Sequence, residues 1–111
     1  MSFVGCKAAD FRSVDAETFA QVIEDTTVVR LDVRTANEYT QGHIPNALLI
    51  DVTQADFMQK AEQLLPKDKT IALYCRSGRR SKKAAMQLAQ HGYQVVELNT
   101  GFNSWKGEVE Q

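Results

Sequence analysis

Short apolar runs alternate along this chain with segments whose apolar residues recur every three or four positions, a pattern that predicts strands alternating with helices. Phe11 to Val14 reads as a short strand. Ser13 or Asp15 then caps a helix in which Phe19, Val22 and Ile23 fall at i, i+3 and i+4, closed by Asp25-Thr26. Val28 to Val33, Ala47 to Val52 and Thr70 to Tyr74 are β-branched and apolar, as expected of strands buried on both faces of a parallel sheet. Between the last two of these, Phe57, Met58, Ala61, Leu64 and Leu65 form a helical stripe that Pro66 stops. Ala84, Ala85, Leu88 and Ala89 form another, in a helix that starts near Ser81 and ends at His91-Gly92, where Gly supplies the left-handed position after the last turn. Val95 to Leu98 is the last strand. The pattern predicts an α/β domain with a central, mainly parallel sheet of about five strands and helices on both faces. Ligands in such sheets bind outside the carboxyl ends of the strands.

Composition narrows this picture. At 111 residues, 43% hydrophobic and 24% charged, the chain has room for one core, so residues 1–111 are expected to form a single domain, with 1–9 as a flexible N-terminal segment. Thirteen Lys and Arg against fourteen Asp and Glu give a net charge of -1, so nothing in the bulk balance points to a nucleic-acid or polybasic membrane partner, neither is expected, and any anion site must be local. The longest apolar run, Ile71 to Cys75, is five residues against the roughly 20 needed to span a bilayer. With no basic, apolar leader over Met1 to Gly5, a cytoplasmic location is expected, although Val4-Gly5-Cys6 would also fit what remains of a trimmed lipid-attachment site. No apolar stripe is left to spare, so a monomer is the default. Cys6 and Cys75 lie far from each other and from His43 and His91, without zinc spacing; a disulfide is allowed but nothing forces it.

The chemistry concentrates after the strand ending at Tyr74, in Cys75-Arg76-Ser77-Gly78-Arg79-Arg80. A thiol there faces a helix start, whose free N–H groups and partial positive charge favour anions. Three Arg within five residues oppose the helix dipole and so need a reason. Together these features lower a thiol from its ordinary value of about 8.5 by one or more units and populate the nucleophile at neutral pH. Gly78 lets the backbone turn its N–H groups inward. A buried, inert cysteine is the commoner fate of a lone thiol, but an inert one gains nothing from a cationic, turn-forming loop.

Three segments resemble the rhodanese-like sulfurtransferase family. Asp32-Val33-Arg34, with Glu38-Tyr39 and Gly42-His43-Ile44-Pro45-Asn46-Ala47, is similar to its first signature. Cys75-Arg76-Ser77-Gly78-Arg79-Arg80-Ser81 resembles its active-site loop, and Gly101-Phe102-Asn103-Ser104-Trp105 its C-terminal segment. Asn46 and Thr100 depart from the pattern at turn positions where Gly is usual. The resemblance implies that Cys75 attacks the outer sulfur of a small anionic donor such as thiosulfate, becomes a persulfide and passes the sulfur to a thiophilic acceptor: cyanide, a thiol or a protein. Loop N–H groups from Arg76 through Arg80 would hold the persulfide, and Arg76 and Arg79 would draw in the donor. The loop itself can supply the thiolate, so no neighbouring general base is called for, nor any metal or organic cofactor.

The remaining polar residues read as structural. Asp32 and Arg34 share a face at a strand end, and Arg34 is placed to pair with Glu38 as the chain enters a helical turn, fixing the strand-to-loop corner. His43 sits in a tight turn, where a His hydrogen-bonds locally, and His91 at a helix C-terminus, where it favours the dipole. Trp105 is expected to pack on the sheet end, and Cys6 to be an incidental exposed thiol. Two other functions compete. A cysteine phosphatase or arsenate reductase would resemble Cys-x5-Arg, whereas here Arg80 is fifth after the cysteine and Ser81 sixth, which makes a tighter cradle. A non-catalytic binding or regulatory module would be signalled by loss of the loop cysteine, which is present.

Overall fold

In the computed structural model, which describes residues 10–111, five strands form one sheet. They are β1 (Arg12–Val14), β2 (Val29–Asp32), β3 (Leu48–Leu49), β4 (Ile71–Tyr74) and β5 (Val95–Leu98). Their order is β1-β5-β4-β2-β3 and every pairing is parallel. The crossovers carry α1 (Ala16–Ile23), α2 (Ala36–Gln41), α3 (Phe57–Leu64) and α4 (Arg79–Gln90), and a 3-10 turn, Phe102–Ser104, follows β5.

Strand alternation sorts the core into two layers. Ile71 and Leu73 of β4, with Leu31 and Val95, pack against Phe57 and Ala61 of α3 and Ala84, Ala85 and Leu88 of α4. Ala72 and Tyr74, with Val96 and Leu98, pack against Phe19 and Ile23 of α1 and meet Phe102 and Trp105. Helices therefore cover both faces, as the hydrophobic pattern predicts.

The edges of the sheet differ from expectation. The run Ala47 to Val52 contributes only Leu48–Leu49 as a strand, with Leu48 44% exposed, because among the described residues it pairs with β2 alone and has no neighbour on its other side. Ile50 and Val52 are buried all the same, their N–H groups donating to the Asp32 and Val33 carbonyls. β1 is likewise an edge strand, half-buried at Val14 and exposed at Arg12 and Ser13. Asp15, not Ser13, caps α1, its carboxylate accepting from the Thr18 N–H at 2.8 Å. The turn after β2 is a full short helix closed by a reciprocal capping box between Thr35 and Glu38. α4 begins at Arg79, two residues before the expected start. Cys6, the Val4-Gly5-Cys6 segment and the question of a disulfide lie outside the described residues. Among those described, no helix is long and apolar enough to cross a membrane.

Candidate active site

Between the end of β4 and the start of α4 lies the loop Cys75-Arg76-Ser77-Gly78, at the carboxyl edge of the sheet. Gly78 precedes α4 with φ +105, and a Cβ there would sit 2.0 Å from the Asn99 carbonyl oxygen. Across the cleft, Gly101 has φ +70, and its Cβ would meet the Arg76 carbonyl oxygen at 2.4 Å. These two glycines let the connection after β5 press against the loop backbone. That approach uses up the loop's carbonyls: the Phe102 N–H donates to Cys75 O at 2.8 Å and the Asn103 N–H to Arg76 O at 3.0 Å. With the carbonyls held outward, the N–H groups turn in, and Gly78 donates to Cys75 Sγ at 3.1 Å.

Cys75 is a free thiol on a residue 0% exposed. Burial alone pushes it up, but hydrogen bonds from the Ser81 hydroxyl and from the N–H groups of Ser81, Gly78 and Ser77 outweigh burial and hold it below the ordinary thiol value. The thiol is thus surrounded by hydrogen-bond donors, an arrangement suited to a sulfur anion. Arg76, Ser77 and Arg79 are exposed around it. Arg76 also lines an open pocket of about 290 Å3 beside the loop, together with Arg34, Glu38, Phe102 and Asn103.

Arg80 takes a different position. Its two terminal nitrogens donate to the two Glu38 oxygens at 2.8 and 2.9 Å. This fork draws the Glu38 carboxyl down to about 2 and raises the guanidinium above its ordinary value. Glu38 therefore pairs with Arg80 and not with Arg34, correcting the local pairing expected from spacing. Arg34 instead grips Asp32, with Nη2 to Oδ2 at 2.7 Å and Nε shared between both oxygens, and donates to Gly42 O at 2.7 Å. Its guanidinium lies over the Phe102 ring, 4.4 Å from the centroid. Burial would lower Arg34, but the Asp32 bonds more than reverse that. The pair fixes the corner beneath the pocket, as a polar network there is expected to do.

Residues 15–108 match the rhodanese-like domain family model. The chain belongs to the rhodanese-like domain family. A protein of Allochromatium vinosum named sulfurtransferase is 37% identical over 94 residues, covering 83% of this chain and 85% of that one. A thiosulfate sulfurtransferase, GlpE, of Coxiella burnetii is 30% identical over 87 residues, 78% of each chain. Among solved structures, a rhodanese-related protein of Thermoplasma volcanium superposes with a TM-score of 0.75 at 29% identity, covering 90% of this chain and 98% of that one.

In this rhodanese-like domain the two departures from the family pattern are accommodated locally. Asn46 adopts φ +68, which Asn tolerates better than most side chains. Thr100 donates its hydroxyl to Ser104 Oγ at 2.7 Å, pinning the 3-10 turn that feeds the loop its N–H donors. His43 stacks on Tyr39 and bonds the Tyr39 carbonyl through Nδ1, but it also reaches the C-terminal segment, its backbone exchanging hydrogen bonds with Glu110 at 2.9 Å and its Nε2 lying 3.4 Å from Glu110 Oε1; His91 Nδ1 bonds the nearby Gln87 O. Trp105 packs edge-on against Phe19 and donates to Glu108 O. Among the described residues no cluster of three or more His, Cys, Asp and Glu is placed to hold a metal ion.

Two residues beside the site, Glu97 and Lys82, escape a reading by motif, and Ser81, though inside the loop motif, is given no role by it. Ser81 contacts the thiol, Glu97 lies buried on β5 behind Ser81, and Lys82 reaches from α4 to Gly78 O, Glu97 and Asn99. The one available signal for Glu97 is a lone acid in an otherwise apolar strand, Val95-Val96-Glu97-Leu98.

Proposed function

We propose that this rhodanese-like domain is a sulfurtransferase that carries a sulfane sulfur on Cys75. The Cys75 thiolate attacks the outer sulfur of a small anionic donor such as thiosulfate. The new S–S bond forms as the donor's own S–S bond breaks, and sulfite departs with the electron pair, leaving a Cys75 persulfide anion. A thiophilic acceptor (cyanide, a thiol, or a cysteine of a partner protein) then takes the outer sulfur and restores the thiolate. No electron is gained or lost overall. Arg76 and Arg79, exposed at the rim, attract the donor, and the N–H groups of Ser77, Gly78 and Ser81 stabilise charge on sulfur at both stages.

The observation that carries this reading is the donor-lined cradle around a thiol held below its ordinary value. The relatives named for sulfur transfer support it. A phosphatase or arsenate reductase needs an arginine free to clamp a tetrahedral oxyanion, whereas Arg80 is committed to Glu38 on both its terminal nitrogens. A purely binding module leaves an activated thiol without use.

Intact mass after exposure to thiosulfate tests the proposal. One sulfur added to the parent and none to Cys75→Ser, followed by thiocyanate release on adding cyanide, is the expected result. Cleavage of a phosphate ester without sulfur uptake would replace the reading with the phosphatase one.

A further inference from the structure

One charged side chain at the loop has no part in the transfer just described. Lys82 lies in the first turn of α4, four residues after Gly78. Its ammonium donates to Gly78 O at 3.2 Å, Asn99 O at 3.1 Å, Asn99 Oδ1 at 2.9 Å and Glu97 Oε2 at 3.1 Å. An ammonium has three protons and accepts nothing, so these four oxygens saturate it. One belongs to the residue before α4, one to β5 and two to the connection that follows β5.

These segments meet in backbone contact. A Cβ on Gly78 would lie 2.0 Å from Asn99 O. Gly78 O and Asn99 O thus bring the negative ends of two peptide dipoles to one point, and the Glu97 carboxylate, 0% exposed, adds a full charge there. Groups of one sign repel at such distances, most strongly away from water. Lys82 is the cation among them. Without it, Gly78 and Asn99 relieve the repulsion by moving apart, and Gly78 is the residue whose N–H donates to Cys75 Sγ at 3.1 Å.

We propose that Lys82 is a positioning residue for sulfur transfer at Cys75: its ammonium holds the Gly78 and Asn99 carbonyls together and so keeps the Gly78 N–H on the sulfur. It acts through Gly78, with no bond of its own to the thiol. The other cations of this region are placed differently. Arg80 is closed on Glu38. Arg76, Arg79 and Lys83 are exposed, and among the described residues none of the three makes an ion pair. Lys83 follows Lys82 directly, but a step of about 100° around the helix turns it to solvent. The two lysines therefore carry the same charge at neighbouring positions, one with four bonds at the loop and one with none.

The use of this placement in catalysis rests on the sulfurtransferase reading, while the placement itself does not, and the test separates them. In a Cys6→Ser background Cys75 is the one thiol left, and its alkylation by iodoacetamide is followed from about pH 5 to about pH 10. A hydrogen bond to the charged form of a group favours that form, so loss of the Gly78 N–H raises the midpoint. Lys82→Met is expected to raise it by about one pKa unit, with alkylation at about pH 6 reduced about tenfold. Lys83→Met, which removes the same charge, is expected to keep the parent midpoint. Equal displacement in the two variants would trace the effect to charge at a distance and overturn the proposal. A lower melting temperature for Lys82→Met with an unmoved midpoint would leave Lys82 a structural role only, and also overturns it.

Lys82→Arg keeps a charge beside Glu97 and so guards the test against misfolding of Lys82→Met, with circular dichroism as the check. Its planar fork does not set one atom between two carbonyls, so it is expected to show the same upward displacement, and a parent-like midpoint overturns the proposal. Thiosulfate loading is read by mass on the same samples. Slower loading of Lys82→Met than of Lys83→Met is expected. Equal loading with a raised midpoint overturns the use of Lys82 in sulfur transfer. A parent that takes up no sulfur defeats the sulfurtransferase reading, and with it that use, while the midpoints still decide the placement.

Discussion

Arg80 and Glu38 are joined by two parallel hydrogen bonds of 2.8 and 2.9 Å, although 42 residues separate them in the chain. The bond ties the first turn of α4 to the first turn of α2, and so fixes one wall of the thiol loop. It also holds the carboxyl at about 2, against 4.5 for a free glutamate. A carboxyl depressed in the folded state adds stability above its unfolded pKa and loses it as pH falls through the folded one.

Glu38→Gln is therefore expected to lower the unfolding free energy near neutrality by about 1–2 kcal/mol, with partial solvent screening of this half-buried pair included. Gln retains the reach of the capping box, so the loss reports the ion pair. Urea unfolding at neutral pH and at about pH 3 checks this, and the gap between parent and variant should narrow at the lower pH. A gap of equal size at both would place its origin elsewhere.

Gly78 and Gly92 both have positive φ, +105 and +91, yet only Gly78 is crowded. Gly92→Ala meets nothing within 4 Å, so its cost is backbone strain alone, about 1 kcal/mol, with Cys75 alkylation unchanged. Gly78→Ala adds a collision with the Asn99 carbonyl. Because overpacking costs a further 1–3 kcal/mol or so, it should be the less stable of the two. It should also react more slowly with iodoacetamide at neutral pH, since the shifted loop loses the Gly78 N–H bond to sulfur. Equal melting temperatures for the two variants would refute the close approach.

Asp32 and Arg34 form a buried pair whose side chains are 0% and 5% exposed. Asp32→Ala strands the guanidinium and should cost about 3–5 kcal/mol in thermal or urea unfolding. Arg34→Met added to Asp32→Ala should recover part of that loss, since the buried charge is then gone. No recovery would mean that Arg34 is held mainly by Gly42 O and the Phe102 ring.

The sheet and its helices were legible because Leu31, Leu73 and Val95 alternate with residues of the opposite layer, and because Phe19 and Ile23, or Ala84, Ala85 and Leu88, repeat at helical spacing. Local pattern misjudged the Ala47 to Val52 run, since apolarity reports burial and not whether a second strand lies alongside. The loop that carries Cys75, with its left-handed Gly78, was legible from Cys75, Gly78 and the clustered arginines. Its partners were not: Glu38 reaches Arg80 and Glu97 reaches Ser81 only once the chain has folded, and spacing drew Glu38 to the nearer Arg34. Long-range pairs of this kind leave no periodic trace in sequence.

The strand order β1-β5-β4-β2-β3 has a temporal consequence. Among the described residues the first strand bonds only to the last, and the N–H groups that hold the loop carbonyls belong to Phe102 and Asn103. On a ribosome, Cys75 emerges well before either, so a nascent chain carries its cysteine with no cradle around it. Non-local parallel pairing of this sort closes late, and the thiol acquires its surrounding hydrogen bonds only as the domain itself is completed.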